Sequence, residues 1–353
     1  MDTPEFFSVL LAGGSGTRFW PASRRSTPKQ LLQLHAGKSL LYDTWSRQGD
    51  LVDEDHVLIV TSEQLTAPCR AVLTDIPQSG FLSEPVGRNT AASVAWAAVE
   101  IAQRNPSAVM AVLPADHVID PPEAYRESMR AAIKLAAEED VLVTFGIQPT
   151  HAATGYGYIE SEGAADGSGS HAVKRFVEKP DAARAQEFLD SGSFLWNSGM
   201  FVWRAEVIIE AFKEYAPALL ELIESGVRAG DVPAVFAEAE ALPIDKAILE
   251  RAENVRVLPI SWAWNDLGAW TSLSEVLGED ADGNCSAGAA QLLAEDSKEC
   301  TVYSEEKEHI ALLGVEGLVV VRSKGVTLVC PAERAQEVRT LVDRLSDEAP
   351  ELQ

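Results

Sequence analysis

Short apolar runs punctuate the first part of the chain, and each gives way to turn or cap residues. Residues 6–11 (FFSVLL), 57–61 (VLIVT), 108–113 (AVMAVL) and 141–146 (VLVTFG) read as buried strands. Between them, residues 90–103 (TAASVAWAAVEIAQ) and 125–139 place apolar side chains at helical spacing, the first preceded by the cap-type stretch Arg88, Asn89, Thr90. Strands alternating with helices predict βαβ units, and so an α/β fold with a mixed, mostly parallel sheet flanked by helices. Ligands of such sheets bind beyond the carboxyl ends of the strands, which here means the loops after Leu11 and Leu113.

The texture changes after residue 150. Two β-like runs, 155–160 and 173–177, flank a Gly/Ser/Ala-rich loop at 163–170 and predict an antiparallel pair. Residues 182–191 predict a short helix, 194–203 a tight turn and a strand, and 206–228 one helix. Short β-like runs fill 283–330, with a hairpin or coil of strands at 317–330 and a helix at 332–347. The division expected is a large domain over 1–280 and a small C-terminal β-rich domain over 281–353 that ends in a helix.

Composition narrows the partners. A formal net charge of −25 over 353 residues disfavours nucleic acid and anionic membranes, because both would be repelled. The four cysteines, Cys69, Cys285, Cys300 and Cys330, make no CxxC pair and are expected to be buried free thiols. No basic stretch precedes the short N-terminal apolar run, and no apolar stretch reaches the ~18 residues of a membrane helix. Neither a signal peptide nor a membrane span is expected, and the expected location is cytoplasmic.

The strongest chemical signal is LAGGSGTRFWPASRRSTPKQ at 11–30. Gly13, Gly14 and Gly16 let a backbone approach a phosphate and aim N–H groups at it, while Arg18 and Lys29 add positive charge. A lone GGSG is more often a flexible turn; the strand before it and the two basic residues after it favour phosphate binding. Two other phosphate loops are disfavoured. A dinucleotide fingerprint needs glycine where Phe19 stands, and a Walker A loop ending at Gly37-Lys38-Ser39 needs glycine where Leu32 stands. Asp116 follows a strand at the ligand-binding edge, where a carboxylate suits Mg²⁺, although a turn or cap is the commoner role of such a residue. His117 beside it reads as a hydrogen-bonding loop residue. Trp196, Trp262, Trp264 and Trp270 read as core or interface.

The string GGSGTRFWPASRRSTPKQLL resembles the signature of the sugar-phosphate nucleotidyltransferases. Trp20, Pro21, Ser23, Lys29 and Gln30 are similar in particular to the mannose-1-phosphate guanylyltransferases. The resemblance continues in order through EPVGRNT (84–90), PADH (114–117), TGYGYI (154–159), FVEKP (176–180), WNSGMF (196–201), PIDKA (243–247) and WNDLGAW (264–270), with LVCP (328–331) in the tail. It implies a Rossmann-like sheet of the nucleotide-diphospho-sugar transferase type and a left-handed β-helix-like C-terminal domain. It also implies Mg²⁺ on Asp116 and Asp266. The triphosphate would lie on Leu11, Ala12, Gly13, Gly14, Ser15, Gly16 and Thr17, with Glu84, Asn89, Thr90 and Asp116 around the nucleotide. Gly157, Glu178, Lys179 and Asn197 would take the sugar phosphate. Departures are Ser323 and Lys324 in place of acidic residues, and Ala263 and Ala269 in place of Gly and Ser, which touch packing more than chemistry.

The activity implied is transfer of GMP from GTP to mannose 1-phosphate, giving GDP-mannose and pyrophosphate. A phosphate monoester, with a second pKa near ~6, is already an anionic nucleophile and needs no general base. Catalysis then reduces to positioning and charge neutralisation, with Arg18, Lys29 and Lys179 as the catalytic cations. Glu84 would read the N1 and N2 donors of guanine. A glucose-1-phosphate thymidylyltransferase is disfavoured by PKQLL, GRNTAAS and WNSGMF. A catalytically dead homologue is disfavoured because Arg18, Lys29 and Asp116 are all kept. No fused isomerase domain is expected, and a homodimer is the expected assembly.

Overall fold

A computed structural model describes residues 4–14, 16–34 and 37–352. The strands of its main sheet and cover are β1 (Phe6–Leu11), β2 (Val57–Ser62), β3 (Phe81–Glu84), β4 (Val109–Pro114), β5 (Val118–Asp120), β6 (Leu142–Ile147), β7 (Tyr158–Glu162), β8 (His171–Val177), β9 (Phe194–Arg204), β10 (Val255–Pro259) and β11 (Ala263–Asn265). The helices are α1 (Leu40–Gln48), α2 (Glu63–Val72), α3 (Asn89–Arg104), α4 (Pro122–Glu138), α5 (Ala182–Ser191), α6 (Ala205–Tyr215), α7 (Pro217–Ala229), α8 (Val232–Phe236), α9 (Ser272–Leu277) and α10 (Val338–Glu348).

Nine strands form one sheet in the order β3-β2-β1-β4-β9-β6-β10-β8-β7. The pairings make β1, β2, β3, β4, β6, β7 and β10 run one way and β8 and β9 the other, so the sheet is mixed and mostly parallel, as the alternating pattern predicts. Continuous apolar strands such as FFSVLL and VMAVLP are buried on both faces, because helices cover the two sides of the sheet. Parallel register aligns the strand ends: Leu11 pairs with Val60 and with Pro114, and Ser62 pairs with Glu84. The glycine-rich loop, the Asp116 loop and Glu84 therefore emerge side by side at one edge.

The C-terminal part is a second sheet of β12 (Cys285–Glu295), β13 (Thr301–Leu313), β14 (Leu318–Ser323) and β15 (Val326–Pro331). β12, β13 and β14 pair in parallel, and β15 returns antiparallel through Lys324 and Gly325, both at positive φ (48° and 78°). That geometry is the two-residue turn whose twist matches a hairpin.

Four expectations need correction. The single helix expected over 206–228 is two, α6 and α7. Pro217 has no N–H to continue the ladder, and it pushes Ala216 out of helical geometry (φ −144°). The turn expected within 194–203 is a bulge inside the continuous strand β9, where Gly199 takes φ +71° and the register against β6 shifts. Residues 155–157 are not strand, since β7 starts at Tyr158. The last helix begins as a tighter 3₁₀ segment over Ala332–Glu337 before α10.

The C-terminal sheet packs on the loops of the larger part. Trp270, fully buried, sits 4.8 Å (ring centroids) from Phe19 on one side and 4.8 Å from Tyr303 on the other. Its indole N–H donates to the Trp20 carbonyl at 3.1 Å, and the Trp20 indole donates to the carbonyl of Leu352 at 2.9 Å. Ala269 is buried in the same cluster, whereas Ala263 is exposed on β11. Cys69, Cys285 and Cys300 are buried free thiols as expected, and Cys330 is half-buried. Among the described residues, no helix is long and apolar enough to cross a membrane.

Candidate active site

Two cavities adjoin at the carboxyl edge of the sheet. The first, about 360 Å³, is lined by Leu11, Gly13, Gly14, Glu84, Asn89 and Thr90 on one side and by Asp116 on the other. The second, about 190 Å³, is lined by Gly157, Glu178, Lys179, Asn197 and Asp266. Pro114, Gly199 and Asp245 belong to both walls. Residues scattered from 11 to 266 thus converge because the strand ends and the bulge in β9 bring their loops together.

The glycine-rich loop is fixed from below. Ala12 is buried, and its carbonyl accepts the Gln30 amide (2.7 Å) and the Thr61 hydroxyl (2.9 Å). Ser23 donates to the Gly16 carbonyl at 2.8 Å. Gly16 has φ +59°, and a Cβ there would lie 2.7 Å from the Lys29 main-chain nitrogen, so no other residue fits this approach. Gly13 and Gly14 are exposed in the first cavity, whereas Gly16, Thr17 and Arg18 line neither. Arg18 is exposed and donates to the Gly268 carbonyl at 3.2 Å. Ser15 lies outside the described residues.

Lys29 is buried and points away from solvent. Its ammonium donates to Asp116 Oδ2 at 2.8 Å and to the main-chain carbonyl of Asp266. Burial alone would raise the Asp116 pKa, but the charges of Lys29 and His117 outweigh it and hold the carboxyl below the usual aspartate range. Burial likewise pulls His117 below the usual imidazole range, against the attraction of Asp116. His117 Nδ1 accepts from the Trp264 indole at 3.1 Å, which leaves the proton on Nε2, 3.8 Å from Asp116 Oδ1. His117 is therefore the hydrogen-bonding loop residue expected. Asp266 Oδ1 accepts from the Tyr156 hydroxyl at 2.8 Å. Trp264 departs from the expectation of core packing, because it lines the second cavity.

Asp116 and Asp266 offer hard carboxylate oxygens to the two cavities, and Lys29 ties both residues together. No cluster of three or more acidic, His or Cys ligands exists among the described residues. Two carboxylates without a full cage fit Mg²⁺, which is commonly bound through one or two carboxylates with waters and substrate phosphates completing the shell.

Glu84 is buried behind Gly13 and accepts from the Ser93 hydroxyl. Burial, opposed by that hydrogen bond, pushes its carboxyl up to about 7. Asn89 Oδ1 accepts the Thr90 N–H at 2.9 Å, and the Thr90 hydroxyl accepts the main-chain N–H of Ile244 at 2.9 Å. Thr90 thus ties α3 to the 243–249 segment as well as lining the cavity. In the second cavity, Glu178 Oε1 accepts from Lys179 at 2.6 Å, and the Lys179 side chain is 61% exposed. Asn89, Lys179 and Leu267 all hold positive φ (60°, 46° and 46°) without being glycine. Asn adopts this region readily, whereas for Lys179 and Leu267 it costs on the order of 1 kcal/mol or more; Lys179 lines the second cavity, and Leu267 follows Asp266. Asp245, Tyr156 and Ser93 went unnamed as site residues in the sequence reading. Asp245 and Tyr156 sit inside the PIDKA and TGYGYI strings, which was the available signal. Ser93 closes the GRNTAAS string, where only the fold sets its hydroxyl against Glu84.

Comparison with known proteins places this geometry. Residues 7–283 match the family model described as nucleotidyl transferase, and 292–345 match the MannoseP isomerase/GMP-like beta-helix domain. The chain is 38% identical to the xanthan biosynthesis protein XanB of Xanthomonas campestris pv. campestris, over 96% of this chain and 72% of that protein. It is 37% identical to a mannose-1-phosphate guanylyltransferase of Escherichia coli, over 96% of this chain and 73% of that protein. A crystal structure described as mannose-1-phosphate geranyltransferase from Thermus thermophilus superposes with a TM-score of 0.90 at 34% identity, covering 97% of this chain and 99% of that one.

Proposed function

The chain belongs to the nucleotidyl transferase family, and from that premise we propose that it transfers GMP from GTP to α-D-mannose 1-phosphate, releasing pyrophosphate and GDP-mannose. The observation that carries this reading is the pair of adjoining cavities with a shared wall, one floored by the glycine-rich loop and the other rimmed by Glu178 and Lys179. Two ligands bound there would meet beside Asp116, Lys29 and Asp266.

The first cavity takes the nucleotide. Glu84, once ionised, accepts from the guanine N1 and N2 donors, a pattern that adenine and the pyrimidines do not present. The main-chain N–H groups of Gly13 and Gly14, which line this cavity, would face the triphosphate. The second cavity takes the acceptor, with Lys179 as a point charge on its phosphate and Glu178 as an acceptor for its hydroxyls. The attacking oxygen is already anionic, so none of the six histidines is required as a base. The barrier is the approach of two anions in line, and it is lowered by fixed positive charge. Arg18 and Lys29 stabilise the departing pyrophosphate. In this reading Lys29 is held against Asp116 until nucleotide arrives, and then turns to the phosphates. Asp116 and Asp266 would hold Mg²⁺, which supplies neutralisation of phosphate charge. A homodimer and a cytoplasmic setting complete the proposal.

Pyrophosphate release measured over four nucleoside triphosphates and several hexose 1-phosphates tests the reading. It predicts that GTP with mannose 1-phosphate is the best pair. Equal or better turnover with dTTP or UTP and glucose 1-phosphate overturns it.

A further inference from the structure

Asp245 stands in the wall that the two cavities share. It opens the helical turn Asp245–Leu249, which is tied to α3 through the Ile244–Thr90 hydrogen bond. Its carboxylate faces the second cavity's acceptor groups. Asn197 Nδ2 donates to Asp245 Oδ1 at 2.9 Å. The oxygen of the same amide accepts the Gly199 N–H (3.2 Å) and lies 3.1 Å from the Thr144 hydroxyl, whose one proton it shares with the Met200 carbonyl, also at 3.1 Å. The Asn197 oxygen is thus turned to the main chain around Gly199, and its amide nitrogen keeps one N–H beyond the bond to Asp245.

The strongest acceptors in this cavity are the carboxylates of Glu178, Asp245 and Asp266. Glu178 gives Oε1 to Lys179, while Oε2 lies so close to Gly157 that a Cβ there would be 2.8 Å from it. No side chain other than Asn197 donates to Asp245 among the described residues. With Asp266 assigned to the metal, Glu178 and Asp245 are the carboxylates left in a cavity of about 190 Å³; they suit a ligand with hydroxyl donors, while Lys179 at the rim suits its phosphate. A polyol phosphate meets both conditions.

We propose that Asp245 is a specificity-determining residue for the acceptor, accepting a hydrogen bond from a ring hydroxyl of the hexose, and that Asn197 is the positioning residue that holds it in place. The inference rests on the acceptor reading given above. It gives Asn197, beside any contact made through its remaining N–H, the role of fixing the carboxylate which reads the sugar.

The test compares mannose 1-phosphate with its monodeoxy analogues, using the full chain at saturating GTP. Burial and the neighbouring Glu178 push the Asp245 carboxyl up to about 7, so the comparison is made at about pH 8, where a hydrogen bond to the charged group corresponds to about 10- to 100-fold in kcat/KM. One analogue should lose that much in the wild type. Asp245→Asn should lose a similar factor on mannose 1-phosphate, yet handle that analogue and the parent sugar within about threefold of each other, with KM for GTP within about twofold of wild type. Asn197→Ala should narrow the same analogue's penalty, a change in selectivity that a merely structural role does not produce. Because it leaves Asp245 intact, it decides the matter even if Asp245→Asn fails to fold. An unchanged analogue pattern in Asn197→Ala, or an Asp245→Asn that raises KM for GTP while keeping the sugar pattern, overturns the inference. A wild type that turns over no mannose 1-phosphate overturns the acceptor reading and this inference together; variant results on an active wild type bear on the inference alone.

Discussion

The ammonium of Lys29 lies 2.8 Å from Asp116 Oδ2 and also donates to the main chain of Asp266, so one lysine joins the two carboxylate loops of the site. Lys29→Met removes the charge and leaves Asp116 without its partner. Turnover should fall about 100-fold or more, as for loss of a group that stabilises developing charge. Asp116 is a depressed carboxyl, so its contribution to stability is present above the ordinary aspartate range and is lost as pH falls through the native value. Thermal unfolding should therefore separate wild type and Lys29→Met at neutral pH and bring them together in acid. A constant separation across that range would contradict the pairing.

Asp116→Ala and Asp266→Ala should each abolish turnover with Mg²⁺, and so should chelation of the metal from the wild type. The loss expected is about 1,000-fold or more, consistent with removal of the main charge-neutralising group. Pyrophosphate release checks it. Wild-type rates in either variant refute the metal assignment.

Glu84 has the opposite sign to Asp116. Burial raises its carboxyl from 4.5 to about 7, so the folded protein keeps a proton that the unfolded chain releases. That contribution to stability is complete below the unfolded value and is lost as pH rises through about 7, a change of up to roughly 3 kcal/mol. Glu84→Gln cannot ionise, so its stability relative to wild type should increase between about pH 5 and pH 8. Guanine donors favour the carboxylate, so wild-type affinity for GTP should strengthen with pH through the same window more steeply than that of Glu84→Gln, which shares only the titration of the GTP phosphate. Titration calorimetry at several pH values measures both.

Trp270 is fully buried between Phe19 and Tyr303 and holds the Trp20 carbonyl. Trp270→Ala should cost about 3–5 kcal/mol in denaturant unfolding, as large-to-small changes in packed cores do. It should also lower turnover, because the residues it packs against follow directly on the glycine-rich loop. Full activity in a destabilised Trp270→Ala would show that the C-terminal sheet does not steady that loop.

Much of this arrangement was legible in the chain itself. The β1 and β4 runs, the glycines after Leu11 and the carboxylate at Asp116 announce a ligand-binding sheet edge, because strand periodicity and turn chemistry are local signals. What the sequence hid is long-range. The break at Pro217 was visible as a proline but sat inside a strong helical pattern. The bulge at Gly199 depends on register against β6, which no local run encodes. Lys29 read as a charge for phosphate, and its pairing with Asp116 depends on loops that are far apart in sequence. Asp245 read as one letter in a string, and only the fold brings it against Asn197 and both cavities.

The central claim, that the nucleotide's α-phosphate moves to a sugar phosphate, is tested most directly by following isotope from GTP labelled separately at the α- and γ-phosphates, with mannose 1-phosphate as acceptor. Label from the α-position should appear in GDP-mannose, and label from the γ-position in pyrophosphate. Label from the γ-position on the sugar, or no sugar nucleotide at all, would contradict the account.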